Sequence, residues 1–214
     1  LPVSVVVEAS EGVRLRDVDG NWSYDVAGSY GVNLLGYDVY KAFMQRGVEQ
    51  ANALGPVLGP YHPVIAENVA LLKSVSGLDE VSFHMSGTEA VMQAVRLARF
   101  HTRRRKLVMF CGAYHGWWDG VQPGAGNPLH PADVLVLAEQ SERSLQVLRT
   151  RRDVACVLVN PLQYLEPNAP ARSDAMLIGG QVGPERSREG YLKWLRSLRQ
   201  ICRQRSIVLV FDEV

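Results

Sequence analysis

The spacing of hydrophobic positions changes along the chain, and the first part reads as short strands followed by helices. Apolar segments near the N-terminus are bounded by turn residues, among them Asp19-Gly20, which favours a small antiparallel meander. Apolar positions then recur at helical spacing. The predicted strands cover residues 3–8, 12–18 and 22–26, and the predicted helices cover residues 38–53 and 63–76.

The second part of the chain alternates strands with amphipathic helices. Its strands are apolar almost throughout, which is typical of strands that helices cover on both faces of a parallel sheet. In the last helix, an apolar stripe from Tyr191 to Cys202 predicts the face that packs on this sheet. The predicted strands are Val81–Met85, Leu107–Phe110, Val134–Ala138, Val154–Val159 and Ile207–Phe211, and the predicted helices cover 87–101, 141–152 and 188–205.

These elements predict an α/β fold in two parts. We expect residues 1–53 to form an N-terminal segment, a meander plus a helix, and residues 54–214 to form the first part of a larger domain. The chain has 214 residues, of which 47% are hydrophobic, enough for a core of this size.

Charge and cysteine content narrow the class of protein. The formal net charge of +1 gives no overall field that would attract nucleic acid or an anionic membrane, and no apolar run is long enough to span a bilayer. Three widely spaced cysteines argue against a disulfide framework or a zinc site. We therefore expect a cytoplasmic protein without a metal ion.

One basic cluster, Arg103-Arg104-Arg105-Lys106, follows the predicted helix over 87–101. Cations at the C-terminal end of a helix interact favourably with its dipole. We therefore interpret the cluster as a helix end rather than as a surface that binds nucleic acid.

The run Ser86-Gly87-Thr88-Glu89 has two interpretations. At the start of a helix, free backbone N–H groups, a glycine and two hydroxyls form a cradle for an anion such as phosphate. The same spacing, Ser-x-x-Glu, is also a capping box, in which Ser86 and Glu89 satisfy the helix terminus themselves.

Further polar and aromatic residues follow the other predicted strands. In a parallel sheet, ligands bind beyond the carboxyl ends of the strands, so these residues are candidates for one site. They are the segment Cys111–Trp118 with Tyr114 and His115, the amide Asn160, and the carboxylate Asp212. A flat, phosphorylated, cationic ring would use the cradle, an aromatic face and the carboxylate together.

Three segments carry a resemblance to a known family. Ser82–Arg99, Gly112–Gly116 and Phe211–Val214 resemble, in this order, the Ser-Gly-Thr-Glu helix, the Tyr-His-Gly segment and the Asp-Glu-Val strand end of class III aminotransferases, which are fold-type I enzymes dependent on pyridoxal 5'-phosphate (PLP). Within that class the chain is most similar to glutamate-1-semialdehyde aminomutases and to aminotransferases associated with polyketide and peptide synthases.

The resemblance implies a role for each candidate. It implies that Asp212 is the catalytic residue that keeps the pyridine nitrogen protonated. For His115 it leaves a site role and a structural role open. The implied cofactor contacts are Ser86, Gly87 and Thr88 at the phosphate, Tyr114 and Val214 on the two ring faces, and His115, Asn160 and Asp212 around the ring.

Two features depart from the family pattern. Asn160 stands where the family usually has glutamate, so this side chain cannot act as a base. The lysine to which the family attaches PLP lies beyond the Asp-Glu-Val strand and hence outside this chain, which is expected to be an N-terminal fragment. The lysines present are Lys41, Lys73, Lys106 and Lys193, and we expect all four to be solvated surface charges or helix-end residues.

The functional alternatives follow from these points. The first is a transaminase acting between an amino donor and a carbonyl acceptor, a homodimer at full length, linked to polyketide or peptide biosynthesis. An aminomutase, a phosphate-binding α/β enzyme without PLP and an inactive fragment are the others. The phosphate-binding alternative leaves Tyr114 and Asp212 without a role.

Overall fold

The computed structural model describes residues 6–26, 28, 32–55, 59–122, 132–161 and 188–213. Contacts within the chain separate two compact units, Leu1–Val81 and Ser82–Val214. The expected domain boundary after residue 53 stays a prediction. None of the helices in these residues is both long and apolar enough to cross a membrane.

The first unit contains the predicted meander. Its antiparallel sheet has the order β1-β2-β3, and Glu11 pairs with Arg14 across the first turn, so β1 extends past its expected end at residue 8. The Asp17 carboxylate accepts hydrogen bonds from the amides of Asp19 and Asn21 and so fixes the second turn. The elements are β1 (Val7–Glu11), β2 (Arg14–Asp17), β3 (Trp22–Tyr24), α1 (Tyr37–Leu54) and α2 (Val64–Ser76).

The second unit is built on a parallel sheet with the strand order β5-β4-β6-β7. All six residues of its inner strand β6 are buried, as their continuous apolar character predicts. The elements are α3 (Gly87–Thr102), β4 (Lys106–Phe110), β5 (Val134–Leu137), α4 (Glu142–Thr150), β6 (Val154–Val159), α5 (Arg188–Arg205) and β7 (Val208–Phe211).

Helices cover both faces of this sheet. Strand β4 alternates between them: Leu107 and Met109 belong to the core under α3, whereas Val108 and Phe110 belong to the core under α4 and α5. The predicted α/β architecture with a doubly covered parallel sheet is thereby confirmed. The carboxyl ends of β4, β6 and β7 consequently share one edge.

The apolar stripe of α5 packs as predicted. Trp194 meets Phe110 edge to face, with ring centroids 5.1 Å apart. Burial raises the pKa of the Cys202 thiol to about 12 and that of Cys156 to about 11, and both cysteines are free. These thiols therefore fill the core rather than act as nucleophiles.

The predicted strand Val81–Met85 is wrong. Residues 77–84 belong to neither helix nor strand, Phe83 is half exposed, and Met85 is 93% exposed. An apolar run becomes a strand only where a neighbouring strand exchanges hydrogen bonds with it, and none of the strands in the described residues pairs with this segment. The segment instead leads directly into the first turn of α3.

The basic cluster ends α3 as expected, with Arg103 at the C-cap of the helix, and it also makes contacts elsewhere in the fold. The Arg104 guanidinium donates to the carbonyl oxygens of Arg205, at 2.8 Å, and of Ser206, at 3.1 Å, so it also caps the C-terminus of α5. Hydrogen bonding from Arg105, at 2.9 Å, lowers the pKa of Asp133. Much of the cluster's charge is therefore used within the fold.

Candidate functional site

The first turn of α3 is a capping box. The Ser86 hydroxyl accepts a hydrogen bond from the Glu89 amide at 3.2 Å, and the Glu89 carboxylate accepts one from the Met85 amide at 2.9 Å. The Glu89 carboxylate thus reaches the amide of Met85, the residue before the N-cap, rather than the amide of Ser86 itself. This interpretation, one of the two offered by the sequence, is confirmed.

The capping box does not use up the helix terminus. The amides of Gly87 and Thr88 are the first two of α3, so they have no acceptor within the helix itself. The Thr88 hydroxyl lies beside them. Two amides, a hydroxyl and the positive end of the helix dipole therefore remain for an anion.

The loop after β4 packs against this terminus through Gly116. Its φ of +91° is one that side-chain-bearing residues rarely adopt. A Cβ on Gly116 would lie 2.7 Å from the Thr88 Oγ1 and 2.9 Å from its Cα, so any side chain would displace the start of α3. This role of Gly116 is not among the predictions from the sequence, although the glycine of the Tyr-His-Gly segment is a signal for it.

Asp212 follows β7 at the carboxyl edge of the sheet. Its amide donates to the carbonyl oxygen of Val159 at 2.9 Å, which sets it beside the end of β6. Its side chain is 8% exposed, and its Oδ2 lies 2.7 Å from Nδ1 of the fully buried His115. A buried carboxylate costs free energy unless it has a hydrogen-bond or ion-pair partner, and His115 is such a partner.

These residues enclose one cavity of about 200 Å³. Tyr114, which is 61% exposed, and Asp212 both border it. The lining consists of Ser86, Gly87, Thr88, Val91, Tyr114, His115, Gly116 and Asp212. Six of the residues singled out in the sequence are thus together in space.

A second, more apolar cavity of about 260 Å³ lies between α3 and β7. It shares Gly87, Val91 and Asp212 with the first. The small residues Ala90 and Ala94 of α3 contribute to its lining.

The remaining candidates stand apart from this cavity or outside the described residues. Asn160 follows β6 and is half buried, but it does not line either cavity. Val214 lies outside the described residues. The lining contains no lysine, and Lys106 lies at the opposite edge of the sheet, 3.3 Å from Asp133.

The chain matches one protein family and several solved enzymes. Residues 1–127 match the family Aminotransferase class-III. A glutamate-1-semialdehyde 2,1-aminomutase of Geotalea daltonii is 31% identical, over 97% of this chain and 48% of the relative. The chain therefore spans about half the length of the curated relatives it matches.

Solved structures show the same fold. A transaminase with PLP bound has a TM-score of 0.78 and 31% identity, over 98% of this chain and 48% of that one. A β-phenylalanine aminotransferase from Variovorax paradoxus has a TM-score of 0.73 and 26% identity, over 98% and 45%. The fold derived above is thus that of half of a transaminase.

Proposed function

The chain belongs to the class-III aminotransferase family, and from this premise we propose that it forms the cofactor-binding half of a PLP-dependent transaminase. The observation that carries the proposal is the buried Asp212 carboxylate, which shares one cavity with the open amides of Gly87 and Thr88. A negative group and an anion cradle facing one cavity suit a ligand that is cationic in its ring and anionic in its phosphate.

The residues of the cavity fit this cofactor. The amides of Gly87 and Thr88, with the hydroxyls of Ser86 and Thr88, would hold the phosphate. The exposed ring of Tyr114 would lie against one face of the pyridine, an arrangement worth about 0.5–1.5 kcal/mol beyond area burial. Val214 on the opposite face and Asn160 near the ring remain parts of the proposal that rest on the family resemblance.

Asp212 would act on the ring nitrogen. PLP supplies an electron-withdrawing ring, provided that this nitrogen stays protonated. A buried carboxylate favours that protonated form, because an opposite charge in a site with little water is stabilising. The carboxylate thus holds a proton at one atom and leaves proton movement at the substrate to residues outside the described part of the chain.

A second candidate is a glutamate-1-semialdehyde-type aminomutase. The relative from Geotalea daltonii carries that name, and the cavity would serve either reaction, because both depend on PLP held in the same way. Product analysis separates the two reactions. A mutase converts one substrate without a separate amino donor, whereas a transaminase requires an amino donor and a carbonyl acceptor. A link to polyketide or peptide biosynthesis is supported only by the resemblance of the sequence to aminotransferases associated with polyketide and peptide synthases.

The setting of the enzyme is part of the same proposal. A transaminase of this kind would act on a small-molecule amino donor and a carbonyl acceptor and would form a homodimer at full length. The small number and wide spacing of the cysteines are consistent with a reducing, cytoplasmic compartment.

The test is Asp212→Asn in the complete enzyme. Breaking a buried charge pair costs roughly 3–5 kcal/mol, so kcat should fall about 10²- to 10⁴-fold. PLP should still bind at high concentration through the cradle. The matched control is Glu189→Gln, an exposed carboxylate on the first turn of α5, which should change neither. Near-normal turnover of Asp212→Asn at saturating PLP would refute the assignment.

A further inference from the structure

The amino edge of the parallel sheet, opposite the cavity described above, has an open cavity of about 560 Å³. Such a volume is within the range of small-molecule sites. Three short segments that lead into β4, β5 and β6 line this basic cavity, residues 103–106, 132–133 and 152–153. We infer that the basic cavity binds a compact ligand that carries several phosphate groups.

The charge of the basic cavity differs from that of the rest of the chain. Its described lining has a formal net charge of +3, because it contains five cations and two carboxylates. Since the whole chain carries +1, all other residues together carry −2. The positive charge is thus concentrated at one concave surface, which attracts anions. The cations are Arg103, Arg104, Arg105, Lys106 and Arg152, and the carboxylates are Asp133 and Asp153.

The two carboxylates are already paired with other cations. Asp133 is shared by Arg105, at 2.9 Å, and Lys106, at 3.3 Å. Asp153 forms an ion pair with Arg151, which is not itself part of the described lining. Neither carboxylate is therefore left to neutralise the other arginines of the cavity.

Three arginines, Arg103, Arg104 and Arg152, form no ion pair with a carboxylate in the described part of the chain. Arg104 is half-buried and donates to carbonyl oxygens at the end of α5, whereas Arg103 and Arg152 are exposed. A guanidinium holds its N–H donors in a planar fork that matches two phosphate oxygens at once. Two such forks are available at the basic cavity.

Helix dipoles account for some of these cations but not for all of them. Helices α3 and α4 end just before the lining segments, and the end of α5 is in contact with Arg104. The C-terminal end of a helix acts as roughly half a negative charge, so three ends offset about 1.5 of the three positive charges. The remaining positive charge is left for a ligand.

Arg103 is held in place before any ligand binds. Its φ of +56° lies in the left-handed region, where the residue at a helix end is usually glycine. The guanidinium carbon lies 4.4 Å from the centroid of the Phe100 ring, a cation–π contact. A side chain that is already ordered loses less conformational freedom on binding, which favours affinity.

The surroundings favour a compact polyphosphate over nucleic acid. The charge of −2 on the other residues would repel an extended polyanion that ran beyond the cavity. The described lining includes no aromatic side chain on which a base could stack. Strand β4 begins at this edge and ends at the cofactor edge, roughly 13 Å away, so a ligand here would not touch PLP.

Calorimetric titration of the complete enzyme with inorganic tripolyphosphate tests the inference. The double variant Arg103→Gln/Arg152→Gln removes both exposed forks, and the control Arg196→Gln/Arg199→Gln removes the same charge from the exposed face of α5. Tripolyphosphate should bind the wild type and the control alike, whereas its affinity should fall roughly 10- to 100-fold in the first variant. No binding by the wild type at low salt, or equal losses in both variants, would overturn the inference.

Two further titrations exclude other sites and other ligands. The affinity for tripolyphosphate should be the same with and without saturating PLP, and loss of binding on addition of PLP would overturn the inference, because the anion would then occupy the cradle at α3. A single-stranded RNA oligonucleotide should bind less tightly than tripolyphosphate, and tighter binding of the RNA would also overturn it. Failure of the enzyme to bind PLP would refute only the proposed function.

Discussion

At the scale of single residues, three consecutive positions reach three different parts of the site. Tyr114 borders the cavity, His115 holds Asp212, and Gly116 packs on Thr88 at the start of α3. These residues are adjacent in the chain, so one short segment makes all three contacts. The loop after β4 therefore sets the relative positions of the cradle and the carboxylate.

Thr88→Val and Glu89→Gln should separate the cradle from the capping box. Losing the Thr88 hydroxyl removes a donor from the phosphate, so PLP affinity should fall about 10-fold with little change in melting temperature. Glu89→Gln removes a negative charge from the helix terminus, which should cost about 0.3–1 kcal/mol of stability without weakening PLP binding. Thermal unfolding and PLP titration of both variants provide the check; a Thr88→Val enzyme with wild-type affinity would contradict the cradle.

At the scale of elements, the local pattern predicted most strands and helices but not their long-range contacts. The boundaries of β6 and α5 follow from uninterrupted apolar character and from an apolar stripe, both local properties. The segment Val81–Met85 has the same local character but no strand beside it, and no local pattern reports that. The contact of His115 with Asp212 spans 97 positions, so a motif can suggest both residues without showing that they touch.

Arg104 provides a prediction about one such long-range contact. Its guanidinium donates to the carbonyl oxygens at the C-terminus of α5 and to that of Val154. Arg104→Met should leave these acceptors unpaired and lower the free energy of unfolding by about 1–3 kcal/mol. Urea denaturation measures the change, with the exposed Arg152→Met as the control, expected within about 0.5 kcal/mol of wild type. Equal losses of stability in Arg104→Met and Arg152→Met would contradict this prediction, because the loss of one positive charge would then account for the whole effect.

At the scale of the whole molecule, the chain contains a site but about half of its relatives' length. No lysine lines the cavity, and helices α1 and α2 contain no buried residue. Apolar side chains such as Phe43 and Met44 of α1 are instead exposed. The lack of a lysine in the cavity lining and the exposed apolar side chains of α1 indicate that this half depends on further contacts for full function.

The 214-residue chain by itself should therefore be inactive, bind PLP weakly and associate. The N-terminus of α3 supplies only about 0.3–2 kcal/mol of charge–dipole attraction, far less than tight binding needs. A PLP titration beside light scattering tests all three expectations, and borohydride reduction followed by peptide mapping identifies any lysine that reacts. A monodisperse monomer with sub-micromolar affinity and measurable transamination would contradict them.

The distance in sequence between His115 and Asp212 also has a consequence for biosynthesis. The ribosome must add 97 residues after His115 before its partner exists. Until β7 joins the sheet, the imidazole of His115 lacks the carboxylate with which it forms a hydrogen bond. We expect water to take the place of that carboxylate in the nascent chain. The pocket is thus completed only once β7 has been synthesised, and a ligand that requires Asp212 can first be captured after β7 has joined the sheet.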